Sequence, residues 1–279
     1  MTMNLRRALP LFIGLLLIGS VGAAQAVTLA NVIDLRTLDS KDETGIANGA
    51  FFYQNTSQPT GTGYIDPFLR LQDSPVEEAF NTDYRQNGQA PLDAKSDPNF
   101  THSLKFADLG IVTKNGKNYY LFTLDIDEPN NGPKQDISLD QVKIYAGGSG
   151  SLANLSTTTL LWDMDGAGDA TVYLNGGALS PGNGGDDMQM LVPTSFFAGH
   201  LNEYMYFYTK FGATIGADPV GHGRSAIPGT SYDADASFEE WRALQHENPP
   251  PPEIPEPATM VLLGSGLVGM AGRRLFRKK

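Results

Sequence analysis

The sequence contains no cysteine among its 279 residues. It therefore cannot form disulfides, thiolate zinc sites or a thiol nucleophile, although this absence does not identify a compartment. Stability must come from packing, or from ions held by oxygen ligands. The 41% hydrophobic content is enough to bury a core in a chain of this length. General disorder is therefore not expected.

Basic residues are scarce between the two ends of the chain. Seven of the 20 lysines and arginines lie near the termini, namely Arg6, Arg7, Arg273, Arg274, Arg277, Lys278 and Lys279. The remaining 13 stand against 31 acidic residues, so the middle of the chain has a formal charge of −18. So acidic a body is unsuited to nucleic acid or to an anionic bilayer surface. We therefore expect no nucleic-acid partner.

The first segment, residues 1–26, has the three-part pattern of a secretory signal peptide. A short basic start is followed by the apolar run Leu9 to Ile18 and by small residues that end in Ala24-Gln25-Ala26. The apolar run is too short to span a bilayer, which argues against a transmembrane anchor. We expect cleavage after Ala26 and export of the body.

The last 32 residues read as a spacer followed by a membrane segment. Residues 248–257 are rich in proline, which predicts a stiff, extended spacer. Residues 258–272 carry no charge, and the basic residues that follow begin with Arg273 and Arg274. This predicts a transmembrane segment and basic tail over residues 258–279, with the basic stop of Arg273, Arg274 and Arg277 on the cytoplasmic side.

The tail resembles the PEP-CTERM sorting signal of exported bacterial proteins. The triplet Pro255-Glu256-Pro257, the apolar run Ala258 to Ala271 and the closing arginines occur in the order of that signal. The resemblance implies recognition by an exosortase, transient anchoring in the inner membrane, and cleavage near the triplet. It also implies a Gram-negative producer of exopolysaccharide or biofilm, with the body released or transferred to the cell exterior. The alternative is an ordinary single-pass tail anchor.

The body, residues 27–247, reads as one all-β domain. Short β-rich runs are separated by glycine, asparagine, aspartate and proline. The clearest pair, Leu104 to Thr113 and Lys117 to Ile126, is joined at Asn115-Gly116, a strong hairpin signal. In the second run Tyr120, Phe122, Leu124 and Ile126 share one face. Strands at this spacing favour a two-sheet, jelly-roll-like β-sandwich.

Further runs complete this prediction. Strands are expected at Val27 to Leu38, Ala50 to Tyr53, Val142 to Ala146, Thr159 to Met164, Met188 to Val192 and Leu201 to Phe211. The polar stretch from Asp73 to Asn99 is interpreted as a long surface loop. One short C-terminal helix is expected at Phe238 to Gln245, because Ser237 and Glu240 have the spacing of a capping box.

Aspartates cluster where strands are expected to end. Asp163, Asp165 and Asp169 surround Gly166 and Gly168, and such a loop can supply the several oxygen ligands that calcium requires. The alternative is a hairpin turn in which the carboxylates accept hydrogen bonds from the backbone. Asp125 and Asp127 are two residues apart, so a strand would place both on one face. No other cofactor is expected.

A tyrosine row offers a second candidate site. Met205 and Phe207 are expected in the core, which leaves Tyr204, Tyr206 and Tyr208 on the opposite face of the strand. Such a row could stack against sugar rings, or it could pack under a neighbouring loop.

Catalytic patterns are weak in this chain. Asp127, Glu128 and Glu203 are conceivable glycosidase carboxylates, but nothing in the sequence selects a pair with a raised pKa. We therefore expect a non-enzymatic component of the cell surface or extracellular matrix. The alternatives are a calcium-assisted carbohydrate-binding module or adhesin and, third, a secreted glycoside hydrolase.

Overall fold

The computed structural model describes residues 31–36, 44–54, 64–128, 135–176, 186–213, 232–235 and 238–246. Fourteen strands lie in these ranges: β1 (Asn31–Asp34), β2 (Thr44–Ala47), β3 (Ala50–Gln54), β4 (Tyr64–Leu71), β5 (Glu77–Phe80), β6 (Leu104–Lys105), β7 (Ile111–Lys114), β8 (Lys117–Ile126), β9 (Asp136–Gly147), β10 (Thr159–Asp163), β11 (Ala170–Asn175), β12 (Met188–Pro193), β13 (Tyr204–Phe211) and β14 (Glu239–Gln245). Within these ranges the helical segments are short 3₁₀ turns. The prediction of an all-β chain is confirmed.

The strands form two sheets of seven. Sheet A has the order β1-β11-β9-β13-β5, with β10 paired to β9 and β6 paired to β13. Sheet B has the order β2-β3-β12-β8-β14-β4, with β7 paired to β8. The strand pairs are antiparallel except β1 and β11, which run parallel.

Asparagine-glycine pairs close two of the hairpins. Asn115 and Gly116, which join β7 to β8, have φ values of 52° and 72°. Asn48 and Gly49, which join β2 to β3, have φ values of 40° and 77°. Positive φ at both central residues matches the right-handed twist of the flanking strands, and Asn and Gly adopt it at low cost. The predicted hairpin at Asn115-Gly116 is confirmed.

The core lies between the two sheets, which face each other as in a β-sandwich. Phe207 of β13 is completely buried, and its ring centroid lies 5.4 Å from Phe68, 5.0 Å from Phe122 and 4.7 Å from Trp241, all in sheet B. The predicted inward face of β8, Tyr120, Phe122, Leu124 and Ile126, belongs to this core. The jelly-roll-like order of strands stays a prediction.

The predicted helix at Phe238 to Gln245 is wrong, because β14 occupies Glu239–Gln245. β14 lies between β8 and β4 in sheet B. Trp241 and Ala243 point into the core, whereas Glu240 and Arg242 lie on the outer face. Glu239 also points inward and is completely buried. Because one inward position is occupied by a charged residue, the sequence of this strand does not show a regular alternation of apolar and polar residues.

Other boundaries also differ from the sequence interpretation. The expected loop from Asp73 to Asn99 contains β5, two of whose four residues are glutamates. The expected strand Leu104 to Thr113 is divided into β6 and β7 by a 3₁₀ turn at Phe106–Asp108. The strands β2, β4 and β11 were not predicted. The strands expected over residues 50–53, 142–146, 159–164, 188–192 and 201–211 are each represented, with shifted ends.

Candidate functional site

A polar groove opens on the outer face of sheet B. Its volume is about 310 Å³. The lining residues come from β4, β8 and β14 and from the segments beside them: Arg70, Phe100, Asp125, Asp127, Phe238, Glu240 and Arg242. The prediction that Asp125 and Asp127 share a face is confirmed, since both line this groove. Three neighbouring strands provide its floor, so the site is built largely on regular structure.

Strand register places three of the charges in one row. Glu240 of β14 is directly opposite Arg70 of β4 on one side and Asp125 of β8 on the other. The Arg70 guanidinium donates to Glu240 Oε2 through Nε at 2.8 Å and also through Nη2. Two like charges opposite each other, as in Glu240 and Asp125, would repel.

Arg242, which lies two residues after Glu240 in β14, offsets this repulsion. Its Nε donates to Glu240 Oε1 at 2.8 Å, its Nη2 to Asp125 Oδ2 at 2.9 Å, and its Nη1 to Asp186 Oδ1 at 3.2 Å. One guanidinium therefore joins three carboxylates. Its planar fork of donors suits this geometry, which the single ammonium of a lysine could not reproduce.

The electrostatics of the groove follow from these contacts. Burial acts against the charge on Arg242, but the hydrogen bond to Glu240 and the surrounding carboxylates outweigh it and raise the pKa of Arg242 above its ordinary value. Burial also raises the pKa of Asp186, which the charge of Arg242 offsets only in part. The arginine thus keeps its charge and holds the carboxylates at fixed positions.

Replacing Arg242 with methionine is expected to destabilise the protein by about 2 kcal/mol, because three clustered carboxylates lose their shared cation. This figure is below that for a fully buried pair, since the side chain of Arg242 is 18% exposed. The matched control is Arg70→Met, which removes a cation that, among the described carboxylates, hydrogen-bonds only to Glu240. Urea unfolding of both variants measures the difference. Equal losses would contradict the role assigned to Arg242.

Two phenylalanines form the apolar part of the groove. The Arg70 guanidinium lies over the Phe100 ring, with Cζ 3.3 Å from the ring centroid. Phe238 is 38% exposed, and Arg70 Cζ and Lys95 Nζ lie 5.3 Å and 5.6 Å from its ring centroid. The groove therefore combines hydrogen-bonding groups with an exposed ring, which is a frequent composition for a binding site of polar ligands.

Two buried carboxyl groups form a pair between the sheets. Glu77 of sheet A and Glu239 of sheet B are each 0% exposed. Burial, opposed in part by the hydrogen bond to Glu239, raises the pKa of Glu77, and burial together with the hydrogen bond to Glu77 raises the pKa of Glu239. Burial also raises the pKa of Asp187 to about 8. Sequence reasoning did not select Glu77 or Glu239, because nothing in their neighbours marks them as inward-facing.

The predicted calcium loop has the geometry of a turn. Asp163 Oδ1 accepts a hydrogen bond from the backbone N–H of Asp165 at 3.0 Å, and Asp165 Oδ1 accepts one from Ala170 at 3.0 Å. Asp169 is exposed. Among the described residues, no group of three or more histidine, aspartate or glutamate side chains is arranged to hold a metal ion. The contacts match the turn alternative, and calcium binding at Asp163, Asp165 and Asp169 stays a prediction.

The tyrosine row is divided by burial. Tyr206 is 0% exposed, and its hydroxyl donates to the Ser149 carbonyl and accepts from the Leu152 N–H at 3.2 Å. It therefore packs under a neighbouring loop and offers no open face to a sugar. Tyr204 and Tyr208 are partly exposed, and the Tyr208 hydroxyl donates to Glu78. Sugar stacking on these two rings stays a prediction.

The three carboxylates considered for a glycosidase do not lie close together. Glu203 hydrogen-bonds His200 at 2.8 Å and precedes Tyr204, at the opposite end of β13 from Phe211. The Phe211 end is the one that pairs with Glu77, close to Asp127 and Glu128. The eight residues of β13, which rise about 26 Å in all, therefore lie between Glu203 and those two acids, whereas the two carboxyl groups of a glycosidase stand within about 10 Å of each other.

The predicted sorting and targeting segments lie outside the described residues. These are the signal peptide at 1–26, the spacer at 248–257 and the membrane segment and basic tail at 258–279, including Pro255, Glu256, Pro257, Arg273, Arg274 and Arg277. In the part of the chain that the structure does describe, no helix has the length and apolar character needed to cross a membrane.

Comparison with known proteins identifies one region of the chain. The family model of the PEP-CTERM protein-sorting motif matches residues 253–278. No curated protein and no solved structure matches the chain. The match covers the triplet Pro255-Glu256-Pro257 and the closing arginines, on which the resemblance was based. The chain therefore carries a PEP-CTERM sorting motif, which implies an exported protein processed at the membrane by an exosortase.

Proposed function

We propose that this protein is a non-enzymatic component of the cell surface or extracellular matrix of a Gram-negative bacterium, and that it associates there with exopolysaccharide. The observation that carries the proposal is the sorting motif at residues 253–278. An exported chain whose membrane tail is removed leaves its body outside the cell. The body is rich in strands, and residues 27–247 have a formal charge of −16, which is unsuited to nucleic acid.

Alanine substitution of Pro255, Glu256 and Pro257 tests the sorting step in the producing cells. We expect the variant to accumulate at full length in the membrane fraction, whereas the native chain appears shortened in the surface or medium fraction. The matched control replaces Pro249, Pro250 and Pro251, which lie in the spacer before the matched residues. Immunoblots of the fractions give the result. Equal processing of both variants would overturn the assignment of the triplet.

The link to polysaccharide is tested on the exported form of the protein. We expect it to sediment with exopolysaccharide isolated from the producing cells, and to pass into the medium in a strain that makes none. Recovery of the protein in the same fraction with and without polysaccharide would contradict the proposed association.

A second candidate function is a carbohydrate-binding module or adhesin. The groove on sheet B favours it, because carboxylates, a guanidinium and an exposed ring converge in one cavity. Assistance by calcium belongs to this candidate as well, with Asp163, Asp165 and Asp169 as the proposed ligands. A secreted glycoside hydrolase has less support, since Glu203 is remote from Asp127 and Glu128.

A further inference from the structure

We propose that the groove lined by Arg70, Phe100, Asp125, Phe238 and Arg242 binds a short segment of a neutral glycan. This inference rests on the proposed association with polysaccharide and adds the site and the chemical class of ligand to it. The groove is about 310 Å³, which lies at the small end of ligand pockets, about 300 to 1,000 Å³. It can therefore hold a short segment of a chain.

The charges of the groove argue against an anionic ligand. The groove is lined by two cations, Arg70 and Arg242, and by three carboxylates, Asp125, Asp127 and Glu240. Its formal charge is therefore −1. Both guanidinium groups are already bonded to carboxylates. A uronate or phosphate would have to displace these internal partners and would leave buried carboxylates without a cation, which is costly.

The rings argue against a cationic ligand. The face of an aromatic ring is one of the surfaces that attract an ammonium group. Here Arg70 covers the face of Phe100, and Arg70 and Lys95 both lie within 6 Å of the Phe238 centroid. A second cation at these rings would meet charges of its own sign. A neutral ligand avoids both penalties.

The remaining chemistry suits a ring that carries hydroxyl groups. Carboxylate oxygens accept hydrogen bonds from hydroxyl donors, and guanidinium N–H groups donate to hydroxyl oxygens. An exposed phenylalanine provides a flat apolar surface against the C–H face of a sugar. The network through Glu240 and Arg242 fixes the polar groups before a ligand arrives, so little ordering is needed on binding.

Gel electrophoresis of the exported protein in gels that contain a neutral polysaccharide tests the inference. The probes are dextran, soluble starch and mixed-linkage glucan, with alginate as the anionic comparison. Tetramethylammonium chloride is added in a separate arm as a cationic competitor. We expect retardation by at least one neutral probe, none by alginate, and no effect of the competitor. Retardation by alginate, or its loss with tetramethylammonium, would overturn the inference.

A pair of phenylalanine variants assigns the binding to the groove. For Phe238→Ala, we expect the apparent dissociation constant obtained from the retardation to rise at least tenfold. The control Phe196→Ala removes a ring of matching exposure, 37% against 38%, that does not line the groove. Equal binding by both variants would overturn the assignment of the glycan to this groove, while it would leave the proposed function intact. Failure to bind any neutral probe would overturn the inference, and failure to bind the producer's own polysaccharide as well would overturn the proposed function.

Discussion

Replacing Trp241 with alanine is expected to lower the free energy of unfolding by about 3 to 5 kcal/mol. The side chain is completely buried, and its ring centroid lies 4.7 Å from Phe207 and 6.5 Å from Phe211 of the facing sheet. Its removal leaves a cavity at the contact between the sheets, because the surrounding strands relax only in part. Urea unfolding of the exported protein, followed by circular dichroism, measures the loss.

The matched control at this position is Trp241→Phe. The indole N–H of Trp241 finds no hydrogen-bond acceptor among the described residues, so phenylalanine removes a buried donor that none of them pairs while it keeps an aromatic ring against Phe207. We expect this variant to lose about 1 kcal/mol, because the smaller ring fills most of the space. A small loss for both variants would indicate that the sheets do not share this core.

Trp241 also marks the place where sequence reasoning about the fold failed. Phe238, Trp241 and Leu244 are three residues apart, and Ser237 with Glu240 has capping-box spacing, so the local pattern indicated a helix. The strand is formed because β8 and β4 pair with it on both sides. Those partners are distant in the sequence, and local propensity is weaker than such tertiary contacts.

Strands with a regular alternation were predictable. β8 was identified with its inward face, because Tyr120, Phe122, Leu124 and Ile126 alternate along a run that begins directly after an Asn-Gly turn. The same turn signal was present at Asn48-Gly49 and would have indicated the hairpin of β2 and β3. The hairpin was missed because β2 has only four residues, among them Gly45, where any side chain would collide with Ile33.

The groove was predictable only in fragments. Asp125 and Asp127 were selected as a same-face pair, and this part was correct. Arg70 and Arg242 join them because the strand order is β8-β14-β4, and the register sets Glu240 opposite Asp125 and Arg70. Order and register depend on pairings between distant segments, which a single sequence does not specify when the polar faces lack a distinctive pattern.

Stability is expected to fall as the pH rises from about 4 to about 8, because the buried carboxyl groups release their protons less readily in the folded chain. Glu77 and Glu239 face each other between the sheets, and as two carboxylates they would leave Glu77 Oε1 and both oxygens of Glu239 without a donor in the part of the chain that the structure describes. One of them must therefore carry a proton. Burial, the hydrogen bond to Glu77 and nearby acids, including Asp127 and Glu128, raise the pKa of Glu239.

Asp187 also makes the stability fall as the pH rises. Its Oδ2 accepts a hydrogen bond from the Ile126 N–H at 2.9 Å, but burial dominates and raises its pKa to about 8. Above about pH 4 the unfolded chain loses these protons while the folded chain keeps them, so the unfolded state binds fewer protons and the stability declines. The stabilisation is fully present below about pH 4 and is lost as the pH rises through the folded-state pKa values. For Glu77, Glu239 and Asp187 together, we expect the free energy of unfolding to fall by several kcal/mol over this pH range.

Glu239→Gln separates the buried pair from the general charge of the protein. Glutamine stays neutral at every pH and its amide can donate to Glu77, so the variant should be more stable than the native chain at about pH 8 and similar to it at about pH 4. The slope of the unfolding free energy should flatten by up to about 1.4 kcal/mol per pH unit, the value for one proton. Asp169→Asn makes the same charge change at an exposed position and should leave the slope nearly unchanged. If the unfolding free energy of the Glu239→Gln variant changed with pH as steeply as that of the native chain, the pair would not hold a proton at neutral pH.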